Sequence, residues 1–152
     1  MIETPACTFR AATDADKPFL LALRLATMAP HYARQGITLG DEEERLRAQS
    51  HLDAAVIIEA EGRAVGVVKV VQDGTTWTID QFQVAPTHQG RGLGTLVLRA
   101  VIGDARRAGA LLRLSVLKQN PAAGLYARMG FRTLAESNHS YKMTFIDTVD
   151  DL

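Results

Sequence analysis

Glycine stands at every second position, at Gly90, Gly92 and Gly94, where an alternating strand-like run gives way to an amphipathic helical run. The full segment is Val84-Ala85-Pro86-Thr87-His88-Gln89-Gly90-Arg91-Gly92-Leu93-Gly94-Thr95. A turn this rich in glycine can aim several backbone N–H groups at one point. A helix N-terminus adds partial positive charge there. Together they predict an anion site, with a pyrophosphate as the expected ligand. This requirement ties a strand directly to a helix through a fixed turn.

The glycine spacing excludes two common phosphate folds. A dinucleotide turn requires Gly-x-Gly-x-x-Gly, but the sixth position from Gly90 is Thr95 and from Gly92 is Val97. A P-loop requires Gly-Lys-Ser/Thr after four spacer residues, and this segment has none. What remains is Gln89-x-x-Gly92-x-Gly94.

The flanking sequence predicts the fold. Cys7 to Arg10 reads as a first strand. Asp14 caps a helix running through Phe19, Leu20, Leu23 and Leu25 to Ala29, where Pro30 ends it. Residues 30 to 40 read as a loop, and Asp41-Glu42-Glu43-Glu44 starts a short helix, its acids complementing the dipole. Ala54–Glu59, Ala64–Val71 and Thr76–Val84 are strands joined by turns at Glu61-Gly62 and Asp73-Gly74. Thr76–Val84 has no cleanly apolar face, which points to a bulge or a functional face. A helix from Gly92 to Ala108 presents Leu93, Leu96, Val97, Ala100 and Val101 on one side, and Gly109 stops it. Leu111–Leu117 is a fifth strand. Pro121 then opens a helix that ends at Gly130, and strands follow at 131–135 and 139–145. The tail from Asp147 is expected to fray. The fold class is therefore α/β (α+β): a mixed, mostly antiparallel central sheet with helices on both faces.

Composition narrows function. The 152 residues fit one domain spanning 1–152, and 47% apolar content supports a core. Seventeen basic residues balance seventeen acidic ones, so no overall nucleic-acid footprint exists. No apolar run approaches membrane-spanning length, and Met1-Ile2-Glu3-Thr4-Pro5 does not resemble a signal peptide. A cytoplasmic protein is expected. Cys7 is alone, which rules out an intrachain disulfide or a cysteine zinc site, and no metal is expected.

A second motif is Asn120-Pro121-Ala122-Ala123-Gly124-Leu125-Tyr126-Ala127-Arg128-Met129-Gly130-Phe131. Taken with Gln89-x-x-Gly92-x-Gly94, one helix and one strand upstream, it resembles the two signatures of the GCN5-related N-acetyltransferases, the GNAT superfamily. The resemblance covers residues 54 to 145 well and the first 50 only in layout. It implies acetyl-CoA as cosubstrate, lying in a gap between the fourth and fifth strands. The backbone of Phe82, Gln83 and Val84 would pair with the pantetheine arm, and N–H groups of Gln89, Gly90, Arg91, Gly92, Leu93, Gly94 and Thr95 would hold the pyrophosphate. Arg91 would screen phosphate charge, or be an ordinary surface arginine. Asn120 would bond the pantetheine, a role compatible with its alternative as a helix N-cap. Ala123 falls in the same binding segment, and Arg128 would reach the 3′-phosphate. A homodimer is compatible with the family.

By the same resemblance Tyr126 sits near the thioester sulfur; its alternative is a packing tyrosine. A thiol has a pKa of about 8.5 and a phenol about 10, so full proton transfer to the departing thiolate is uphill by about 2 kcal/mol. A hydrogen bond to the forming thiolate is the safer description. The acceptor amine, with a pKa of about 10.4, costs about 4.6 kcal/mol to deprotonate at pH 7, so a base or a water chain is needed. Asp80 is the first candidate, with His31 and His139 as alternatives and His88 read as a surface residue. The strand Ile79-Asp80-Gln81 also resembles that of some aminoglycoside 6′-N-acetyltransferases. The expected reaction is direct attack on acetyl-CoA by a primary amine, of a small molecule or of an amino-acid side chain or N-terminus, in a ternary complex, with a backbone N–H near Val84 stabilising the oxyanion. A non-catalytic acyl-CoA-binding sensor is the alternative. The acceptor itself is set by residues 28–40 and 136–139, where the resemblance is thinnest.

Overall fold

The computed structural model describes residues 6–147. The chain runs β1 (Thr8–Ala11), α1 (Lys17–Thr27), α2 (Ala29–Arg34), α3 (Asp41–Gln49), β2 (Ala55–Ala60), β3 (Arg63–Asp73), β4 (Thr76–Val84), α4 (Leu93–Ala108), β5 (Leu111–Leu117), α5 (Ala122–Met129), β6 (Phe131–Glu136) and β7 (Ser140–Phe145). The strands form one sheet in the order β1-β2-β3-β4-β5-β7-β6. Only β4 and β5 are parallel neighbours; every other pair is antiparallel. The mixed sheet is thus the expected one. The tail beyond Asp147 and the first five residues lie outside the described residues.

Each face of the sheet has its own core. On one face α4 buries Leu93, Val97, Leu98, Val101, Ile102 and Ala105 against strand residues such as Val68, Leu112 and Leu114. Each large aliphatic side chain so buried contributes about 1.5–3 kcal/mol. On the other face α1 and α3 cover Ile57 and Val67 with Leu20, Leu23 and Ala48. The C-terminus of α4 closes as expected. Gly109 takes a left-handed conformation, and Ala110 N–H bonds back to Ala105 O.

Two local expectations fail. Asp14 does not cap the first helix: it opens a 3-10 turn, Asp14–Asp16, and Asp16 stands before Lys17. Pro30 does not end a helix that runs to Ala29. The first helix stops at Thr27, and Pro30 lies in the first turn of α2, inside the stretch expected to be loop. Proline is tolerated there because a first-turn N–H has no intrahelical acceptor. Its position starts a helix as readily as it stops one.

The irregularity in β4 is a bulge. Lys69 pairs with Gln81 and Val70 with Ile79, which leaves Asp80 as the extra residue. The parallel ladder between β4 and β5 ends at the same place, at Ile79 opposite Leu114. Beyond it β5 pairs on its other edge with β7, through Leu117 and Ser140. The strands therefore part at Asp80, and Gln81–Val84 present an edge that β5 does not cover.

Candidate active site

Two adjoining cavities lie along the uncovered edge of β4. The first encloses about 360 Å³ between Ile79–Gln83 on one strand and Ser115–Leu117 on the other. Arg24, Met28, Tyr32, Arg47 and Ser50 line it on the helix side, with Asn120, Tyr126 and Ser140 at its end. The second encloses about 490 Å³ over the glycine turn, with Val84, Gln89, Gly90, Gly92, Gly94 and Thr95 as its floor. Pro121, Ala122, Leu125 and Arg128 form its opposite wall. Met28, Phe82, Gln83 and Asn120 border both. A larger cavity of about 540 Å³ lies elsewhere, between β2, β3 and α4, and holds none of the predicted residues.

The glycine turn has the conformation its sequence demands. Gly90 and Gly92 have φ of 77° and 82°, in the left-handed region where a side chain is strained. Leu96 N–H makes the first bond of α4, to Gly92 O, so the amides of Leu93, Gly94 and Thr95 have no intrahelical acceptor. A Cβ on Gly94 would lie 3.3 Å from Leu125 Cδ2 and 3.7 Å from Phe82 Cζ. Gln89 braces the turn, its Nε2 donating to Val84 O at 2.8 Å. Unpaired amides at a helix N-terminus favour an anion in general.

Not every expected residue meets the gap. Arg91 turns away to a weak 4.0 Å ion pair with Glu61, and Leu93 is buried in the core. Ala123 packs against that core as well. Asn120 stands just before Pro121, the N-cap of α5; its Oδ1 accepts from Ala122 N–H at 2.9 Å, and it borders both cavities. His88 is buried, contrary to expectation: Thr87 Oγ1 lies 2.9 Å from its Nδ1, and its Nε2 has no partner among the described residues. His31 borders the second cavity, where burial and then Arg34 lower its pKa. The guanidinium of Arg34 donates to its Nδ1 at 2.9 Å. His139 faces Gln35 at 2.7 Å and borders neither cavity.

Tyr126 and Asp80 share the first cavity. Tyr126 is buried, its ring held edge-on by Phe131 at 5.6 Å, and burial pushes its phenol above the ordinary value. Asp80 is exposed on its bulge. Beneath it Lys69 is fully buried on β3, donating to Ala48 O at 2.9 Å and to Ser50 O at 2.5 Å. Desolvation brings the Lys69 ammonium down to about 8, with Asp80 opposing that fall and Arg24 adding to it.

Sequence reasoning passed over three groups here. Arg24 lies on the buried face of α1 with Leu20, Leu23 and Thr27. Its signal was a charge in an otherwise apolar helical stripe. Arg47 was hidden among surface charges of α3. Gln83 was expected to act through its backbone, yet its side chain is buried and its Nε2 has no partner among the described residues.

The parted sheet carries the glycine turn at one mouth and a polar chamber at the other. The model of the acetyltransferase (GNAT) family matches residues 20–131, and the chain belongs to that family. The fold is that of the crystal structure of PaiA N-acetyltransferase from Thermoplasma acidophilum in complex with coenzyme A. The two superimpose with a TM-score of 0.75 over 93% of this chain and 99% of that one, at 13% identity. An uncharacterized N-acetyltransferase of Bacillus subtilis, YobR, is 37% identical over 81 residues, 52% of this chain and 32% of that protein. Streptothricin acetyltransferase of Streptomyces lavendulae is 38% identical over 82 residues, 50% of this chain and 42% of that protein. The match spans less than half the length of these curated relatives. Among the described residues no group of three or more His, Cys, Asp or Glu side chains is placed to hold a metal, and no helix is long and apolar enough to cross a membrane.

Proposed function

We propose that this protein transfers the acetyl group of acetyl-CoA to a primary amine by direct attack in a ternary complex. The parting of β4 and β5 at Asp80 carries this reading. It joins an anion-binding turn to a chamber holding an acid–base candidate and a buried hydroxyl. The uncovered edge at Phe82–Val84 offers backbone groups to the pantetheine arm. The amides at the start of α4 receive the pyrophosphate, and Arg128 stands at the wall of the same cavity.

Within the chamber the amine loses its proton to Asp80, directly or through water, and its lone pair attacks the thioester carbonyl. A backbone N–H of the β4 edge near Val84 stabilises the oxyanion. The carbonyl re-forms as the C–S bond breaks, the second proton on nitrogen passes to the departing thiolate or to water, and the Tyr126 hydroxyl hydrogen-bonds that thiolate. Because burial raises the phenol further above a thiol, complete proton transfer from Tyr126 is more costly than ordinary values suggest. A stabilising hydrogen bond is the role its position favours.

The test is incubation with isotopically labelled acetyl-CoA and a cell metabolite extract, followed by mass spectrometry, with Tyr126→Phe as control. A labelled amide that fades in the control supports the reading. Acetyl-CoA bound without any labelled product replaces it with the sensor alternative.

A further inference from the structure

Two arginines converge on the acceptor chamber. Arg24 is 2% exposed and lines the cavity, with Nε 3.4 Å from Glu44 Oε1. That approach is an ion pair but not a hydrogen bond, and Nη2 is buried with no partner among the described residues. Arg47, from α3, lines the same cavity. Its Nε bonds Glu43 at 2.8 Å and its Nη1 bonds the Tyr32 hydroxyl at 2.9 Å. Both guanidinium carbons lie 5.5 Å from the centre of the Tyr32 ring. One aromatic ring thus holds two planar cations beside the chamber that contains Asp80.

A buried guanidinium with an unused donor costs free energy unless an acceptor reaches it. Planar forks suit carboxylates, which accept two parallel N–H bonds. The local charges decide between a carboxylate and a phosphate. Arg24, Arg47 and Asp80 line the chamber, and Lys69, Glu43 and Glu44 stand behind them, so three cations face three carboxylates around it. A zwitterion keeps that balance; an amine bearing a dianionic phosphate upsets it.

We propose that the acceptor is a small amino acid-type amine whose carboxylate is held by Arg24 and Arg47 while its amine faces Asp80. This rests on the acetyl-transfer reading above and names the acceptor class for the same site. A volume of about 360 Å³ holds a free amino acid.

The experiment offers the full chain labelled acetyl-CoA with two pools: free L-amino acids, and their α-carboxamides. N-acetylated products are counted by mass spectrometry, and acetyl-CoA binding is measured separately by calorimetry. Acetylation of the carboxylate pool at least tenfold faster supports the inference. For the best acceptor from that pool, Arg47→Gln is expected to raise KM at least tenfold with kcat within threefold. The same variant should shift KM for the matching carboxamide by less than twofold. Arg24→Lys, which keeps the buried charge and loses the fork, should show the same split. Equal or faster reaction of the carboxamides overturns the inference, as does an unchanged KM in Arg47→Gln. Bound acetyl-CoA with no product from either pool also overturns it and leaves acetyl-CoA binding standing. Failure to bind acetyl-CoA overturns this inference and the acetyl-transfer reading together.

Discussion

Replacing Tyr126 with Phe removes one oxygen and leaves the ring in place against Phe131, 5.6 Å away at an interplanar angle of 64°. The ring is buried and its packing survives, so the expected loss of stability is no more than about 1.5 kcal/mol. The lost group is a hydrogen bond to a developing thiolate. Bonds to charged partners contribute about 1.5–3 kcal/mol, which corresponds to a fall in kcat of about ten- to a hundredfold. The hydroxyl lies in the acceptor chamber and not over the glycine turn, so KM for acetyl-CoA should stay within about twofold. Burial holds the phenol protonated beyond its ordinary range. The ratio of wild-type to variant rate should therefore be flat from about pH 6 to pH 10. Steady-state kinetics across that range, following release of free CoA thiol, is the assay. A variant as fast as wild type refutes the thiolate role. A ratio that collapses with a midpoint near pH 9 refutes the claim that burial keeps Tyr126 neutral.

Asp80→Asn should lower kcat/KM by about 10²–10⁴-fold at pH 7, with the deficit shrinking as rising pH supplies free amine; a constant deficit up to pH 10 would mean Asp80 is not the base. Lys69 gives a stability test: its ammonium releases a proton near 8 in the folded chain and at 10.5 when unfolded. Between those values the unfolded chain holds the extra proton, so stability rises with pH across that window, by up to roughly 3 kcal/mol. Denaturant titrations of wild type and Lys69→Met check this, and parallel profiles from pH 7 to 11 would contradict it. Asp16 gives the opposite sign. Two hydrogen bonds from Arg10, at 2.8 and 2.9 Å, hold its carboxyl down at about 2, against the ordinary 3.8. Its stabilisation is present above pH 4 and lost as pH falls through 2. Because Arg10 is partly exposed, Asp16→Asn should cost only about 1–2 kcal/mol at neutral pH, and that difference should vanish near pH 2 in acid-unfolding curves. Gly94→Val should overpack Leu125 and Phe82, costing about 1–3 kcal/mol and weakening CoA binding by calorimetry at least tenfold.

Much of the site was legible because its signals are local. The glycine turn, the Pro121 helix start and the Gly109 stop are backbone requirements, and each appears within a few residues of chain. Period-2 and period-3.6 patterning set the strands and α4 for the same reason. The lack of a clean apolar face on β4 was also a true signal, since Asp80 is the bulge residue. Pro30 misled because its missing N–H is equally compatible with the end of one helix and the first turn of the next.

What the sequence alone determined was the type and order of elements, the glycine turn and the pair of motifs that mark the family, because each depends on residues close together in the chain. Tertiary structure decided what those elements enclose. Arg24, Arg47 and Tyr126 come from three different helices, and only packing across the sheet brings them to one chamber. The burial of Lys69 beneath Asp80 likewise depends on α3 covering β3. Arg91 and His88, which look alike as loop residues, are separated by the fold: one turns out to Glu61, the other is buried against the cavity wall. Such placements follow from long-range contacts, whose partners no window of the sequence contains.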